Sequence, residues 1–141
     1  MPMNEITARV LAEARSWLGT PWHHQARVRG VGVDCGGLVI GAFKAAGILP
    51  ADYDAGYYGR HPDIERLVGA LSEYALEAQD IRPGDVLLFT IVGSPRHLAI
   101  ATDRGMIHAW QGMKAVVEHG IDRRWRRRLY KIYRPEALWR R

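Results

Sequence analysis

Two residue types in this sequence could cooperate in covalent chemistry: its single cysteine and a histidine that opens a β-prone segment. Cys35 follows Asp34, a suitable helix N-cap, and His97 begins the segment HLAIA at positions 97–101. A thiol within hydrogen-bond reach of an imidazole can give up its proton and attack an acyl carbon. We therefore take Cys35 as the candidate nucleophile and His97 as its candidate base.

The predicted position of Cys35, at the N-terminus of a helix, bears on its reactivity. Unpaired amides at such an end carry partial positive charge, so we expect a lowered thiol pKa. Gly36, Gly37 and Gly41 follow in the same helix, where each glycine costs about 0.8 to 1 kcal/mol relative to alanine. The glycines therefore indicate that another group approaches the backbone of this helix closely. It is either a substrate, with the Cys35 amide free to bind an oxyanion, or a sheet packed tightly against the helix.

The strand that begins at His97 has two distinct faces. Period-2 alternation places His97, Ala99 and Ala101 on one face, and Leu98 and Ile100 on the other. The small alanines leave room for a packed helix. We therefore expect the helix that bears the cysteine to lie on the face of the histidine.

His108 is the candidate third group, which would orient His97. A two-residue turn at positions 103–104 would set His108 opposite Ala99, on the face of His97. A three-residue loop with Gly105 as a bulge would instead move His108 to the other face.

The four other histidines are weaker candidates for catalysis. His23, His24 and His61 are predicted in loops, where no well-spaced set of metal ligands can be assembled, and His119 is predicted to be solvated. We expect no metal site. His23 or His24 could line the cleft, because their loop must pass close to the start of the helix.

Hydrophobic periodicity places helices first and strands afterwards. Helical spacing predicts helices over Asn4–Leu18, Asp34–Ala46 and Asp63–Ala78. After the turn signature RPGD at positions 82–85, β-prone runs follow at Val86–Ile91, His97–Thr102, Met106–Trp110, Ala115–Glu118 and Leu129–Tyr133. This order predicts an α+β fold, and we expect a single domain over residues 1–141.

Composition limits the classes of protein to consider. The chain has 141 residues, of which 48% are hydrophobic and 25% charged, as is typical of an ordered globular protein. A single cysteine excludes an internal disulfide and a cysteine-clustered zinc site. No segment is apolar enough to span a membrane, and Met1–Trp17 lacks the apolar core of a secretory signal, so we expect synthesis in the cytoplasm.

Five short motifs occur in order along nearly the whole chain. They are GTPW at 19–22, DCGGLV at 34–39, IRPGD at 81–85, HLAI at 97–100 and IHA at 107–109. Together they resemble the NlpC family of peptidoglycan endopeptidases, whose pattern is Gly-x-Pro-Tyr, Asp-Cys-Ser-Gly-Leu-Val, Leu-x-Pro-Gly-Asp, His-Val-Gly-Ile and Ile-His-Ala. Agreement of five ordered motifs is far more specific than any one of them.

The resemblance implies a papain-like fold, with N-terminal helices packed on a C-terminal antiparallel β-sheet and no metal or organic cofactor. It also implies a cysteine endopeptidase that cleaves the γ-D-glutamyl-diaminopimelate bond of peptidoglycan stem peptides at the cell wall. Carried onto this sequence, Cys35 attacks, His97 relays the proton and His108 orients His97. The Cys35 amide helps to bind the oxyanion.

Two departures from the family pattern concern substrate binding. Trp22 stands where the family commonly has a tyrosine, and it offers only its indole N–H as a donor. Gly36 replaces a serine that, with the preceding aspartate, is associated with gripping a free stem-peptide amine. Only Asp34 would keep that role, and we expect Asp34, Trp22 and Gly36 at the substrate site.

Other readings remain open at this point. In lacking a secretory signal, the sequence resembles the short members of the NlpC family that are found in phages, prophages and gene-transfer agents. This resemblance implies phage-tail-like partners. Papain-like relatives also include amidases, acyl transferases and non-catalytic binding modules, so a nucleic-acid-binding or wall-binding module is a further alternative. The net charge of +5 is concentrated near the C-terminus, and the run RRWRRR at 123–128 could bind nucleic acid, with Trp125 stacked on a base. The run is short and resembles a solvated face that could equally meet anionic wall polymer, which disfavours nucleic acid.

Overall fold

A computed structural model describes residues 4–53, 68–69 and 71–139 of the chain. The first half is mainly helical: helix α1 spans Glu5–Arg15 and helix α2 spans Cys35–Ala45. Between them lies a two-stranded antiparallel hairpin of β1 (Arg27–Val28) and β2 (Gly32–Val33).

The second half forms the main sheet. Its strands are β3 (Ala75–Ala78), β4 (Val86–Ile91), β5 (Ser94–Thr102), β6 (Gly105–Trp110), β7 (Ala115–His119) and β8 (Leu129–Pro135). They pair antiparallel in the order β3-β8-β4-β5-β6-β7. A 3-10 turn at Gln111–Met113, helix α3 (Arg123–Arg128) and helix α4 (Glu136–Trp139) complete the described chain. The predicted α+β fold is confirmed.

The two long helices begin at the predicted N-caps. The Asn4 side chain accepts a hydrogen bond from the Thr7 amide at 2.7 Å, and Asp34 accepts one from the Gly37 amide at 2.8 Å. Gly47, with φ +79°, follows the end of α2 as expected. Within the described ranges, no helix is long and apolar enough to cross a membrane.

The predicted helix Asp63–Ala78 is wrong at its C-terminal end. Residues 68, 69 and 71 are helical, whereas Ala75–Ala78 forms strand β3 and pairs with β8. Positions 63–67 and 70 lie outside the described residues. Buried apolar residues three apart, at Ala75 and Ala78, are compatible with a helix or with a strand. Pairing with β8 favours the strand, because it satisfies backbone groups of β8 that would otherwise be exposed at the edge of the sheet.

The sheet is covered on both faces. Leu98 and Ile100 belong to the buried cluster that includes the apolar side chains of α1 and α2. Ala99 and Ala101 belong to a second cluster, with Trp125 of α3. The expectation that α2 packs on the alanine face is therefore wrong. The small alanines make room for an indole instead.

The aspartate of the RPGD turn links two strands of the sheet through a buried ion pair. Asp85 is fully buried, and its two oxygens accept hydrogen bonds from Nε and Nη2 of Arg134, both at 2.9 Å. Asp85 also accepts the Arg82 amide at 2.8 Å, and Gly84 has φ +94°. This aspartate therefore ties the start of β4 to β8.

Candidate active site

A cleft of about 580 Å³ opens at the N-terminus of α2. Its size is typical of small-molecule and peptide sites. Cys35 and His97 both line it, although they are 62 positions apart in the sequence and come from a helix and a strand. The fold therefore brings the two candidate catalytic residues to one cavity.

Cys35 is buried and protonated in the free cleft. Burial, and next the negative charge of Asp34, raise the thiol pKa to about 12. Backbone hydrogen bonds from Leu98, Gly36 and Cys35 itself act in the opposite direction but are outweighed. The expectation of a lowered pKa is therefore wrong, because loss of water outweighs the helix N-terminus.

The same backbone contacts locate the sulfur. A hydrogen bond from Leu98 places Cys35 beside strand β5, at the residue that follows His97. Helix α2 packs on the opposite face of this strand, and its first residue, Cys35, lines the cleft together with His97. The thiol also lies against amides of its own helix turn, which are suitable donors for an oxyanion.

His97 and His108 form a directly hydrogen-bonded pair. Nε2 of His97 lies 2.7 Å from Nδ1 of His108. Thr102 pairs with Gly105 across the turn at 103–104, so the two-residue turn is confirmed and the bulged alternative is wrong. Because Nε2 of His97 is engaged by His108, Nδ1 is the ring nitrogen that can serve Cys35.

Both imidazoles are neutral at neutral pH. Burial, with a contribution from the charge of Arg128, lowers the pKa of His97 to about 3. Burial, followed by the charges of His97 and His119, lowers the pKa of His108 to about 2. A neutral His97 can accept the thiol proton, which is the state that a general base requires.

Aromatic rings hold the histidine pair in place. Trp125 stands edge-on to His108 at a centroid distance of 5.1 Å, and Trp110 lies 4.9 Å from His97. Trp125 is only 7% exposed and also contacts Phe89 at 5.0 Å. The reading of Trp125 as a base-stacking residue is therefore wrong. Trp125 is the apolar residue through which α3 packs on the sheet, and its arginine neighbours give no indication of this packing in the sequence.

The predicted substrate-site residues are only partly brought together. Trp22 and Asp34 line the cleft, and Gly36 is buried in the first turn of α2. Both carboxylate oxygens of Asp34 already accept backbone amides, from Gly37 at 2.8 Å and from Gln25 at 2.9 Å. Asp34 therefore fixes the entry of the chain into α2.

Two of the helix glycines are explained by packing. A Cβ at Gly37 would lie 3.0 Å from the Ala26 carbonyl oxygen, and one at Gly41 would lie 2.7 Å from Cζ2 of Trp17. The close approach at these two positions comes from the preceding loop and from Trp17, which follows α1, and not from the sheet.

Arg96 is a cleft residue that sequence reasoning missed. It is half-buried, lines the cavity next to His97, and donates from Nε to the Ser94 hydroxyl at 2.8 Å. Its position before His97 was the only sequence signal. Val92, at the tip of the β4–β5 hairpin, lines the same cavity and is 88% exposed.

The remaining histidines differ in their positions relative to the cleft. His24 lines the cleft, His23 is exposed, and His61 lies outside the described residues. His119 was predicted to be solvated, but it is half-buried, and its Nε2 lies 2.8 Å from Nε2 of His108. Over the described part of the chain, no three His, Cys, Asp or Glu side chains are arranged to hold a metal ion.

Comparison with known proteins identifies the family. The model of the family described as NlpC/P60 matches residues 19–134. The chain belongs to the NlpC/P60 family. The resemblance drawn from the five motifs is confirmed, and the match contains Cys35, His97 and His108.

Solved NlpC/P60 structures share the fold. The NlpC/p60 domain of peptidoglycan hydrolase SagA has a TM-score of 0.61 and 23% identity, over 92% of this chain and 97% of that one. Peptidoglycan hydrolase RipB from Mycobacterium tuberculosis has a TM-score of 0.64 and 17% identity, covering 92% of this chain and 64% of its own. NlpC2 from Trichomonas vaginalis has a TM-score of 0.70 and 16% identity, over 96% and 49%.

These structural likenesses support the papain-like fold alone, since each is below 25% identity. The chain also spans only about half of the NlpC2 chain. A search of curated proteins finds no significant match.

Proposed function

We propose that this NlpC/P60 protein is a peptidoglycan hydrolase of the cysteine endopeptidase type. Cys35 is the nucleophile, His97 the general base and His108 the residue that orients His97. The observation that carries the proposal is the arrangement in one cleft: a thiol at a helix N-terminus and an imidazole whose far nitrogen is held 2.7 Å from His108. Family membership, and the peptidoglycan hydrolases among the similar structures, support the substrate.

The reaction starts from a neutral pair. As the substrate carbonyl approaches, Nδ1 of His97 takes the Cys35 proton and the sulfur forms a bond to the carbonyl carbon. The Cys35 amide donates to the oxyanion. The leaving amine takes the proton from His97, and a water molecule, deprotonated by His97, then hydrolyses the thioester to free acid and thiol.

The bond that we propose for cleavage is the γ-D-glutamyl-diaminopimelate amide of stem peptides. A γ-linked glutamate keeps a free α-carboxylate, three carbon atoms away from the scissile carbonyl carbon, so a cation in the cleft could recognise it. Arg96 offers a guanidinium in the cleft next to His97, and arginine is well suited to bind a carboxylate through two hydrogen bonds.

Defined muropeptides test both the bond and the reaction. Disaccharide tetrapeptides are incubated with wild type and Cys35→Ala, and the products are identified by mass spectrometry. Release of a fragment that ends in free D-glutamate, by wild type alone, supports the proposal. Cleavage at another amide would contradict the assigned bond. With glycinamide added, a hydrolase still yields free acid, whereas an acyl transferase joins the amine to the acyl group.

We also propose that the chain acts at the cell wall as a component of a phage-tail-like or gene-transfer-agent-like particle. The exposed arginines of α3 support docking on an acidic partner, since Arg123, Arg124, Arg126 and Arg127 face solvent. Burial of Trp125 leaves no aromatic platform on this helix for nucleic acid. Proteomics of purified particles is the test. Absence of the chain from particles of a producing strain would refute this delivery route.

A further inference from the structure

A third histidine continues the hydrogen-bonded line that starts at the proposed base. His97 Nε2 lies 2.7 Å from His108 Nδ1, and His108 Nε2 lies 2.8 Å from His119 Nε2. The line ends where His119 Nδ1 lies 2.9 Å from the carbonyl oxygen of Gly120. Three imidazoles are thus connected in series between the cleft and a backbone acceptor.

The pairing of β6 with β7 aims His119 at this line. Met106 pairs with His119 and His108 with Val117, so His119 is the diagonal neighbour of His108 on the same face. The preceding residue, Glu118, points to the opposite face, where it pairs with Arg15 of α1 at 2.8 Å. Strand alternation therefore fixes His119 toward the histidine pair.

The Gly120 carbonyl determines where each proton lies. A carbonyl oxygen only accepts, so His119 donates to it from Nδ1, and in the tautomer with that single ring proton Nε2 accepts. His108 consequently donates from Nε2 and accepts at Nδ1. His97 then donates from Nε2, which leaves its Nδ1 with a free lone pair.

We propose that His119 is a positioning residue that transmits the acceptor character of the Gly120 carbonyl through His108, and thereby keeps Nδ1 of His97 unprotonated and ready to act as base. The proposal rests on the proposed roles of Cys35 and His97. If the line ran in the opposite direction, His97 would have its proton on Nδ1 and could not accept the thiol proton. A fixed tautomer is thus a requirement for activity.

Two substitutions of His119 separate this role from simple packing. In His119→Ala, His108 loses its acceptor, and we expect kcat to fall about tenfold with little change in KM, as for loss of one part-buried hydrogen bond. In His119→Gln, the side-chain carbonyl can accept from His108 while the amide donates to Gly120, so most of kcat should return. His23→Ala, an exposed histidine outside the cleft, is the matched control.

Nitrogen-15 NMR of histidine-labelled protein reads the tautomers directly and needs no substrate. Wild type and His119→Gln should show His97 and His108 protonated at Nε2 alone, and His119→Ala a mixture of tautomers. A Nδ1 proton on His97 of the wild type would overturn the proposal. So would a His119→Gln variant as impaired as His119→Ala, or a His119→Ala variant with unchanged kcat and tautomers. Expected tautomers without any peptide release would instead refute the proposed function.

Discussion

At the residue scale, the chemistry of the site is set by burial more than by sequence position. A helix N-terminus was sufficient to find Cys35, and strand alternation with a short turn was sufficient to pair His97 with His108. The protonation state could not be predicted in the same way, because it depends on how much water the fold removes around each group. Burial favours the neutral thiol and the neutral imidazole together.

The raised pKa of Cys35 predicts slow alkylation of the free protein. The thiolate is the reactive form, so the rate with iodoacetamide should rise about tenfold per pH unit from pH 7 to 10. A cysteine in a short unstructured peptide, with a thiol pKa of about 8.5, is the control, and its rate should level off within that range. A rate that is fast and constant from pH 6 upwards would mean that a thiolate-imidazolium pair exists before substrate binds.

A second prediction at the residue scale concerns the positive charge of Arg96. Arg96→Gln should raise KM about tenfold for stem peptides with a free glutamate α-carboxylate, since a charge-assisted pair is lost. Stem peptides amidated at that carboxyl lack the charge and serve as the matched substrate. An equal rise in KM for both would contradict carboxylate recognition by Arg96.

At the element scale, sequence periodicity found the two long helices and five of the six strands of the main sheet, but not which elements cover the faces of that sheet. Residues 97–101 alternate as expected, yet the alanine face receives Trp125 from a short arginine-rich helix that no apolar pattern indicates. The contact of His119 with His108 was also missed, because the predicted strand β7 ended at Glu118, one residue too early. Which elements cover a sheet depends on contacts between distant segments, and local patterns do not contain them.

The packing of α2 against Trp17 gives a stability prediction for one glycine. Gly41→Ala places a Cβ against a ring that is only 6% exposed, so we expect the free energy of unfolding to fall by about 1 to 3 kcal/mol. Gly69→Ala is the matched control, because among the described residues no atom beyond its chain neighbours and its own helix backbone lies within 4 Å of the added Cβ. Chemical denaturation measures both. Equal stability of the two variants would contradict the packing explanation.

At the scale of the whole molecule, five ordered motifs predicted the family and the fold, and both are confirmed. The RPGD motif illustrates what sequence alone does not reveal. Its turn was predicted, but its aspartate is a buried partner of Arg134, 49 residues later. That residues 1–141 form one domain stays a prediction, and a single cooperative unfolding transition would support it.

The Asp85–Arg134 pair should matter for the stability of the whole fold. Asp85→Asn leaves the Arg134 side chain, itself 2% exposed, without its buried counter-charge. We expect a loss of about 3 kcal/mol in the free energy of unfolding. Asp80→Asn is the control, because that carboxylate contacts the same arginine but is 61% exposed. A larger effect at Asp80 than at Asp85 would contradict the assignment.

The central claim is that Cys35, with His97 as its base, hydrolyses peptidoglycan. The most direct measurement is the release of stem-peptide fragments from Gram-negative peptidoglycan sacculi, followed by mass spectrometry, for wild type, Cys35→Ala and His97→Ala. His23→Ala is the matched control for the histidine substitution. We predict release by wild type and His23→Ala, and a loss of about a thousandfold or more in the other two, because nucleophile and base act as a unit. Equal release by wild type and Cys35→Ala would contradict the claim.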